Sequence, residues 1–129
     1  METDPPPSIS SIGEAAHLLA PFFGGATVEK IAVLHLDTGW RVLALREYAG
    51  GADNAELPLR LIIEEALRIG TEAVIVAHNH PSGDPSPSAE DLRVSRLFAD
   101  TLRALGMRLV DHLIFAGDEV GSLRDLGLL

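Results

Sequence analysis

Two imidazoles, a hydroxyl and a carboxylate occur within one short stretch of this chain. The stretch contains His78, His80, Ser88 and Asp91, in the pattern His-x-His-x7-Ser-x2-Asp. Imidazole nitrogen and carboxylate oxygen are common zinc ligands, and catalytic zinc typically has three protein ligands and leaves a fourth position to water. The first hypothesis is therefore a metal-assisted hydrolase in which His78, His80 and Asp91 hold Zn²⁺.

A buried strand is predicted just before the first histidine. Residues 72–77 form a short apolar run with β-branched members, which favours a strand over a helix. Side chains two apart on a strand share a face, so His78 and His80 at its end can converge on one ion while Asn79 points away. The prolines and the Ser-Gly-Asp sequence within residues 81–87 then predict a stiff loop.

An amphipathic helix is predicted after this loop. Apolar residues from Leu92 to Leu105 recur at spacings of two to four residues, which is typical of one helical face. Asp91 then lies in the first turn, and a loop that folds back would bring its carboxylate to the strand end. Ser-x-x-Asp is also a capping signal. Taken alone, Ser88 and Asp91 favour a helix cap; together with the two histidines they favour metal binding.

Hydrolysis also needs a base for metal-bound water and a donor for the oxyanion. Ser88 is a candidate donor. The candidate base is Glu29, near the start of an apolar strand predicted over residues 28–36, although spacing alone favours an ordinary strand-end acid. His35 shares the face of Glu29 by its even spacing, but a lone strand histidine is more often packed than ligating, so it is left out of the site.

Asp111 and His112 are adjacent in another predicted strand, residues 107–115. Adjacent strand residues face opposite ways, so only one of the two can look toward the metal. That residue could form a hydrogen bond to a metal ligand and orient it. A buried polar residue satisfied by the backbone is an equally good interpretation.

The four-residue pattern resembles the signature of the JAMM or MPN+ metalloprotease superfamily, and the surrounding sequence is closer still to the bacterial RadC-like JAB domain. The resemblance rests on His-Asn-His-Pro-Ser-Gly-Asp at residues 78–84 and Asp-His-Leu-Ile at residues 111–114. It extends from about residue 29 to residue 129, with a first strand similar over residues 29–37 and an ending similar over residues 122–127.

This resemblance implies a fold, a reaction and a role for each residue. His78, His80 and Asp91 are the implied zinc ligands. Glu29 is the implied general acid/base and Ser88 the implied oxyanion donor, for cleavage of an amide or isopeptide bond. The implied fold is the JAB/MPN architecture, which is cytidine deaminase-like. One departure is that the family's usual Pro-Arg-Glu before its central helix appears here as Leu-Arg-Leu, residues 59–61.

The remaining patterns predict an α/β fold, a mixed β-sheet flanked by helices in three layers. Further predicted elements are a capped helix from Ser11, a β-hairpin turn at residues 37–39, a helix over residues 58–69 that ends at Gly70, and a turn at residues 117–118. Residues 1–9 are proline-rich and polar and are expected to form a flexible tail. Residues 10–129 are expected to form a single domain that begins almost directly with the JAB region, without the helical N-terminal region of longer RadC proteins.

Composition narrows the function further. The 129 residues contain no cysteine, so a metal here must be held by imidazole and carboxylate. The net charge of −9 and ten scattered basic residues make direct nucleic-acid binding unfavourable. The chain shows neither a signal peptide nor the roughly 18 apolar residues of a membrane span. We therefore expect a cytoplasmic protein with a protein or peptide substrate.

Two other functions remain open. Two histidines and a carboxylate are also the ligand set of non-haem iron oxygenases, but that chemistry gives no task to Glu29 or Ser88. The third function is a non-catalytic RadC-like scaffold or interaction module that acts beside DNA-processing proteins. It would become the first choice if Glu29 lay far from His78 and His80.

Overall fold

The predicted α/β architecture, a mixed sheet flanked by helices, is confirmed. The computed structural model of the protein describes residues 7–50 and 57–129. Within them the elements are α1 (Ile12–Leu19), a short 3₁₀ helix (Ala20–Phe22), β1 (Lys30–Leu36), β2 (Val42–Ala49), α2 (Leu59–Ile69), β3 (Ala73–Asn79), α3 (Ala89–Ala104), β4 (Arg108–Ala116) and β5 (Glu119–Ser122).

The five strands form one sheet in the order β2-β1-β3-β4-β5. β3 and β4 are parallel, and the other neighbouring pairs are antiparallel. β1 and β3 are the central apolar strands, and nearly every residue in them is buried. A strand that is apolar along its whole length must be covered on both faces, so the sheet lies between two helical layers.

Alternate residues of the central strands face two separate cores. Ala32 and Leu34 of β1 pack in the cluster that contains α1. Ile31 and Val33 pack in the cluster that contains α2 and α3. Since Val74 and Val76 of β3 belong to that second cluster, His78 also points to the side of α2 and α3.

The pairing of β1 with β3 decides which residues meet at the end of the sheet. Ile31 pairs with His78 in antiparallel register. Glu29 lies two residues before Ile31, just beyond the last β1 residue that pairs with β3. The same alternation of faces turns the Glu29 side chain toward the side of His78.

Several predicted turns and helix ends are confirmed. β1 and β2 form the predicted hairpin, where the Asp37 carboxylate accepts hydrogen bonds from the N–H groups of Gly39 and Arg41. α2 ends at Gly70, whose φ of 75° lies in the left-handed region that glycine adopts without strain. Ser11 caps α1 through Glu14 N–H at 3.1 Å.

The predicted boundary between tail and domain is corrected. Ile9 is buried, its N–H donates to the Trp40 carbonyl at 3.0 Å, and Val42 N–H donates to the Pro7 carbonyl at 2.7 Å. The pairing with the hairpin and the burial of an isoleucine side chain draw these residues into the fold. The described domain therefore begins by residue 7, and the first six residues of the predicted tail lie outside the described residues.

The C-terminal part contains a strand that the sequence did not predict. β5 follows the predicted turn at residues 117–118 and pairs with β4. Its four residues, Glu-Val-Gly-Ser, carry no alternating apolar pattern, which explains why it was missed. Leu123 after it is fully buried, whereas Leu126 is 57% exposed. Among the described helices, none has both the length and the apolar character needed to cross a membrane.

Candidate metal centre

Three of the predicted site residues come together where β3 meets the start of α3. The Nε2 atoms of His78 and His80 are 2.9 Å apart. Asp91 Oδ1 lies 3.4 Å from His78 Nε2, and Asp91 Oδ2 lies 3.2 Å from His80 Nε2. Within the part of the chain that the structure describes, this is the group of side chains that could hold a metal ion.

The spacing of these atoms fits a small tetrahedral ion. Zinc binds imidazole nitrogen and carboxylate oxygen at about 2.0–2.2 Å, so two ligand atoms of a tetrahedral site lie about 3.3 Å apart. The 2.9 Å between the two Nε2 atoms is close to this value. So are the 3.4 and 3.2 Å that separate His78 and His80 Nε2 from different oxygens of Asp91. The His80 and Asp91 side chains remain 16% and 15% exposed, so the group is reachable from solvent on one side.

The ring nitrogen of His80 that faces away from the group is held by the backbone. His80 Nδ1 lies 2.9 Å from the Asp84 carbonyl oxygen. A carbonyl only accepts, so Nδ1 carries the proton and Nε2 presents its lone pair. The loop of residues 81–87 therefore sets the tautomer that a metal ligand needs.

His78 is oriented by a chain of two further side chains. Its Nδ1 is 2.6 Å from His112 Nε2 on β4, and His112 Nδ1 contacts the Ser95 hydroxyl on α3. If His78 Nδ1–H donates to His112, then His112 carries its proton on Nδ1 and donates to Ser95. This arrangement leaves His78 Nε2 free as a ligand atom.

Burial favours the neutral form of His112 that this chain of bonds requires. His112 is 1% exposed, and burial lowers the pKa of His112 to about 3. The sequence left open which of Asp111 and His112 faces the candidate ligands, and in the structure His112 is the one that contacts His78. Ser95 was missed; its signal was a polar residue on the buried helical stripe with Phe98 and Leu102.

Asp111 faces the other way and holds the C-terminal segment. Its carboxylate accepts hydrogen bonds from Arg124 N–H at 3.1 Å, from His112 N–H at 2.7 Å and from the Ser122 hydroxyl. Asp111 is fully buried, so these three donors offset the cost of burying a carboxylate. Its role is structural support for the chain after β5.

The cap and metal interpretations of Ser88 and Asp91 are compatible. Ser88 caps α3, with its Oγ accepting from Asp91 N–H at 3.0 Å while Asp91 Oδ2 accepts from Ser88 N–H at 2.8 Å. Burial acts to raise the pKa of Asp91, but the adjacent His78 ring and the hydrogen bond from Ser88 N–H outweigh it and hold the pKa well below its ordinary value. The carboxylate is therefore ionised and fixed next to the histidines.

Glu29 lies one residue before β1 and two residues before Ile31, which pairs with His78. Its side chain is half-buried, and its Oε2 atom is buried with no hydrogen-bond partner in the structure. A buried polar atom without a partner is costly and calls for an explanation. A hydrogen-bond donor on a bound ligand or water would provide the missing partner for this oxygen.

His35 is separate from this group, as the sequence predicted. It is fully buried, and its Nδ1 lies 2.9 Å from the Thr71 hydroxyl. Burial lowers the pKa of His35 to about 4. This histidine is a packed core residue.

A mixed five-stranded sheet between helical layers, with a His-His-Asp group at the end of a central strand, is consistent with a JAB/MPN-like fold. Residues 9–128 match the family model described as the RadC-like JAB domain. The chain belongs to this family.

Curated relatives carry the family name UPF0758. One, from Desulfitobacterium hafniense, is 36% identical over 124 residues, covering 95% of this chain and 55% of that protein. Another, from Acidithiobacillus ferrooxidans, is 42% identical over 100 residues, covering 77% of this chain and 45% of that protein. A third, from Chloroflexus aurantiacus, is 36% identical over 121 residues, covering 93% of this chain and 53% of that protein. The chain spans about half the length of these relatives.

Proposed function

We propose that this protein is a zinc-dependent metallohydrolase that cleaves an amide bond, either in a peptide or at an isopeptide linkage. The observation that carries the proposal is the convergence of His78 Nε2, His80 Nε2 and the Asp91 carboxylate within 3.4 Å of one another. The outward ring nitrogens of both histidines are engaged elsewhere, which leaves both Nε2 lone pairs for an ion.

Three chain residues would hold the ion and two would act on the substrate. Zinc, when bound, supplies a Lewis acid that polarises a carbonyl and lowers the pKa of water. His78, His80 and Asp91 are the proposed ligands. An open fourth position suits hydrolysis better than a closed structural site.

Glu29 is the proposed general acid/base. Its buried Oε2 has no partner and can take a proton from the attacking water. The same oxygen can then deliver that proton to the departing amine. Glu29 lies two residues before Ile31, which pairs with His78, and this nearness in the sheet supports the assignment.

Ser88 is the proposed oxyanion donor. Its Oγ already accepts a hydrogen bond from Asp91 N–H, so its hydroxyl hydrogen is available to donate. Ser88 is exposed and therefore accessible to a substrate carbonyl. A single such donor typically contributes about a hundredfold to a thousandfold in kcat.

We take the substrate to be a protein or peptide and the setting to be the cytoplasm. The net charge of −9 disfavours contact with phosphate backbones. Substrate selection is assigned to the surface around Pro81–Pro87 and to the loop near residues 50–58, of which residues 51–56 lie outside the described part of the chain. A scaffold role, as in a RadC-like interaction module, would not need an unpartnered acid beside an open ligand set.

The test begins with metal content in protein purified without added metal. About one zinc per chain is expected in the parent, and little in His80→Ala and Asp91→Ala. His17→Ala, which changes an exposed histidine outside the site, should keep its zinc. A parent that takes up no metal from micromolar zinc would contradict the proposal.

The second step assigns the chemistry. Fluorogenic peptides and peptides carrying a lysine isopeptide bond are offered to the zinc-loaded parent and to Glu29→Gln. The variant should keep its zinc and lose hydrolysis, because the amide of glutamine cannot take up the proton. Retained hydrolysis in Glu29→Gln would move the base to another residue.

A further inference from the structure

The backbone on both sides of Glu29 is held by the side chain of Asn79. Asn79 Oδ1 accepts a hydrogen bond from Lys30 N–H at 2.7 Å, and Asn79 Nδ2 donates to the Val28 carbonyl at 3.0 Å. Asn79 is 4% exposed. The two bonds therefore bracket Glu29 from a buried position.

These bonds continue the link between β1 and β3 beyond the point where the strands pair. The last paired residues are Ile31 and His78, and the His80 N–H donates to Phe115 of β4 instead. Asn79 stands between the two histidines, with its side chain on the opposite face of β3. The residue between the candidate ligands therefore also fixes the segment that carries Glu29.

The chemistry of the side chain suits this task. Asparagine can accept one hydrogen bond and donate another through the same planar amide. Aspartate could keep the bond from Lys30 N–H but would set a carboxylate oxygen against the Val28 carbonyl. An apolar side chain would leave both backbone groups without these partners.

The other side of Glu29 is closed by Gly50, just after β2. Gly50 N–H donates to the Glu29 carbonyl oxygen at 3.2 Å. A Cβ at Gly50 would lie 2.5 Å from that oxygen and 2.9 Å from the Glu29 carbonyl carbon. Any larger residue must therefore displace the Glu29 backbone.

We propose that Asn79 and Gly50 are positioning residues for Glu29, which hold its backbone so that the carboxylate stays at the metal-binding end of the sheet. The catalytic part of this inference rests on the proposed function. Neither residue is expected to touch the substrate. Each acts by fixing the position of the Glu29 backbone, from which the side chain extends.

The first test measures backbone protection in the zinc-loaded full chain. Amide hydrogen exchange of Lys30, followed by NMR, should quicken about tenfold or more in Asn79→Ala, because its acceptor is removed. The matched control is Thr71→Val, which removes a different buried hydrogen bond, that to His35. Thr71→Val should leave Lys30 exchange unchanged, and both variants should keep about one zinc per chain.

The second test separates positioning from general damage. With a substrate identified as above, Asn79→Ala and Gly50→Ala should each lower kcat about tenfold or more, with KM changed less than about twofold. Adding Asn79→Ala to Glu29→Gln should cost less than about a further twofold, since the residue that it positions is already inactive. Asn79→Asp, which sets a buried carboxylate oxygen against the Val28 carbonyl, should lower kcat at least as much as Asn79→Ala.

Three results would overturn the inference. One is unchanged Lys30 exchange in Asn79→Ala. Another is loss of zinc from Asn79→Ala while Thr71→Val retains it, which would mean that Asn79 acts on the ligands. The third is a full multiplicative loss in the double variant. A parent that binds zinc and hydrolyses none of the substrates would count against the proposed function, and the exchange measurement would still decide whether Asn79 holds the Glu29 segment.

Discussion

At the scale of single residues, the site depends on side chains that never reach the ion position. His112 and Ser95 are both buried and form a chain of contacts behind the Nδ1 atom of His78. Partners of this kind orient a ligand ring and raise its basicity. Their loss should therefore weaken metal binding without removing any ligand.

The variant His112→Phe tests this directly. It keeps an aromatic ring in the buried space but removes the acceptor for His78 Nδ1–H, so zinc affinity should fall about 10–100-fold. Competition with a chromophoric chelator would measure the affinity. His35→Phe is the matched control, because His35 is an equally buried histidine with no contact to the group, and it should bind zinc like the parent.

The buried histidines also make stability depend on pH. Burial lowers the pKa of His35 from 6.5 to about 4, so the unfolded chain takes up a proton at a pH where the folded chain does not. The free energy of unfolding is therefore unaffected by His35 above about pH 6.5, and it decreases as pH falls from there toward about 4. The pKa of Asp91 is low for a different reason, because its neighbours favour the ionised carboxylate. The stability that Asp91 contributes is therefore lost only at more acidic pH.

Urea unfolding of the metal-free protein between pH 7 and pH 4 would measure this dependence. Each buried neutral histidine should contribute a slope approaching about 1.4 kcal/mol per pH unit within its window. His35→Phe should flatten the curve by one such contribution, whereas His17→Ala, an exposed substitution, should leave its shape intact. An unaltered slope in His35→Phe would contradict the assignment.

At the scale of elements, the start of α3 contains both a helix cap and a candidate metal ligand. The capping box of Ser88 and Asp91 fixes the carboxylate that faces the histidines. A cap that also carries a ligand should show effects that an ordinary cap lacks. α1 offers the comparison, because Ser11 caps it through Glu14 N–H far along the chain from the ligands.

We therefore compare Ser88→Ala with Ser11→Ala. Each should lower the free energy of unfolding by about 1 kcal/mol through loss of the cap. Only Ser88→Ala should also lower kcat, by about a hundredfold, as expected for an oxyanion donor. Chemical denaturation and hydrolysis assays measure the two effects, and equal kcat in both variants would leave Ser88 with a capping role alone.

The local elements around the site could be predicted from the sequence, because their signals are contained within a few residues. The apolar run before His78, the loop prolines, the Ser88 cap and the stop at Gly70 are all of this kind. The contacts made by Ser95 and Asn79 could not be predicted, since they depend on which segments become neighbours in space. The same holds for the pairing of Pro7–Ile9 with the hairpin.

At the scale of the whole molecule, the metal should contribute to folding stability. The ligands come from β3 and from α3, and an ion that binds the folded chain alone stabilises it by mass action. At free zinc about 100 times Kd, the gain should be about 2.7 kcal/mol. The free energy of unfolding should return to the metal-free value when a chelator is added.

Thermal unfolding with and without zinc would check this expectation. Asp91→Ala lacks one ligand and should show a much smaller rise in Tm on addition of zinc. If the Tm of the parent were the same with zinc and with chelator, zinc would not bind preferentially to the folded chain.

The register between β1 and β3 has a consequence for how this domain could change over evolutionary time. All three candidate ligands lie within 14 residues, 78–91, whereas Glu29 lies much earlier in the chain, just before β1. A slip of β1 by two residues would preserve its buried face, yet it would carry Glu29 about 7 Å along the sheet. In the proposed mechanism, a small insertion between Glu29 and β1 would remove the base and leave the core and the candidate ligands in place, so metal content by itself would be a poor guide to whether a relative is an active enzyme.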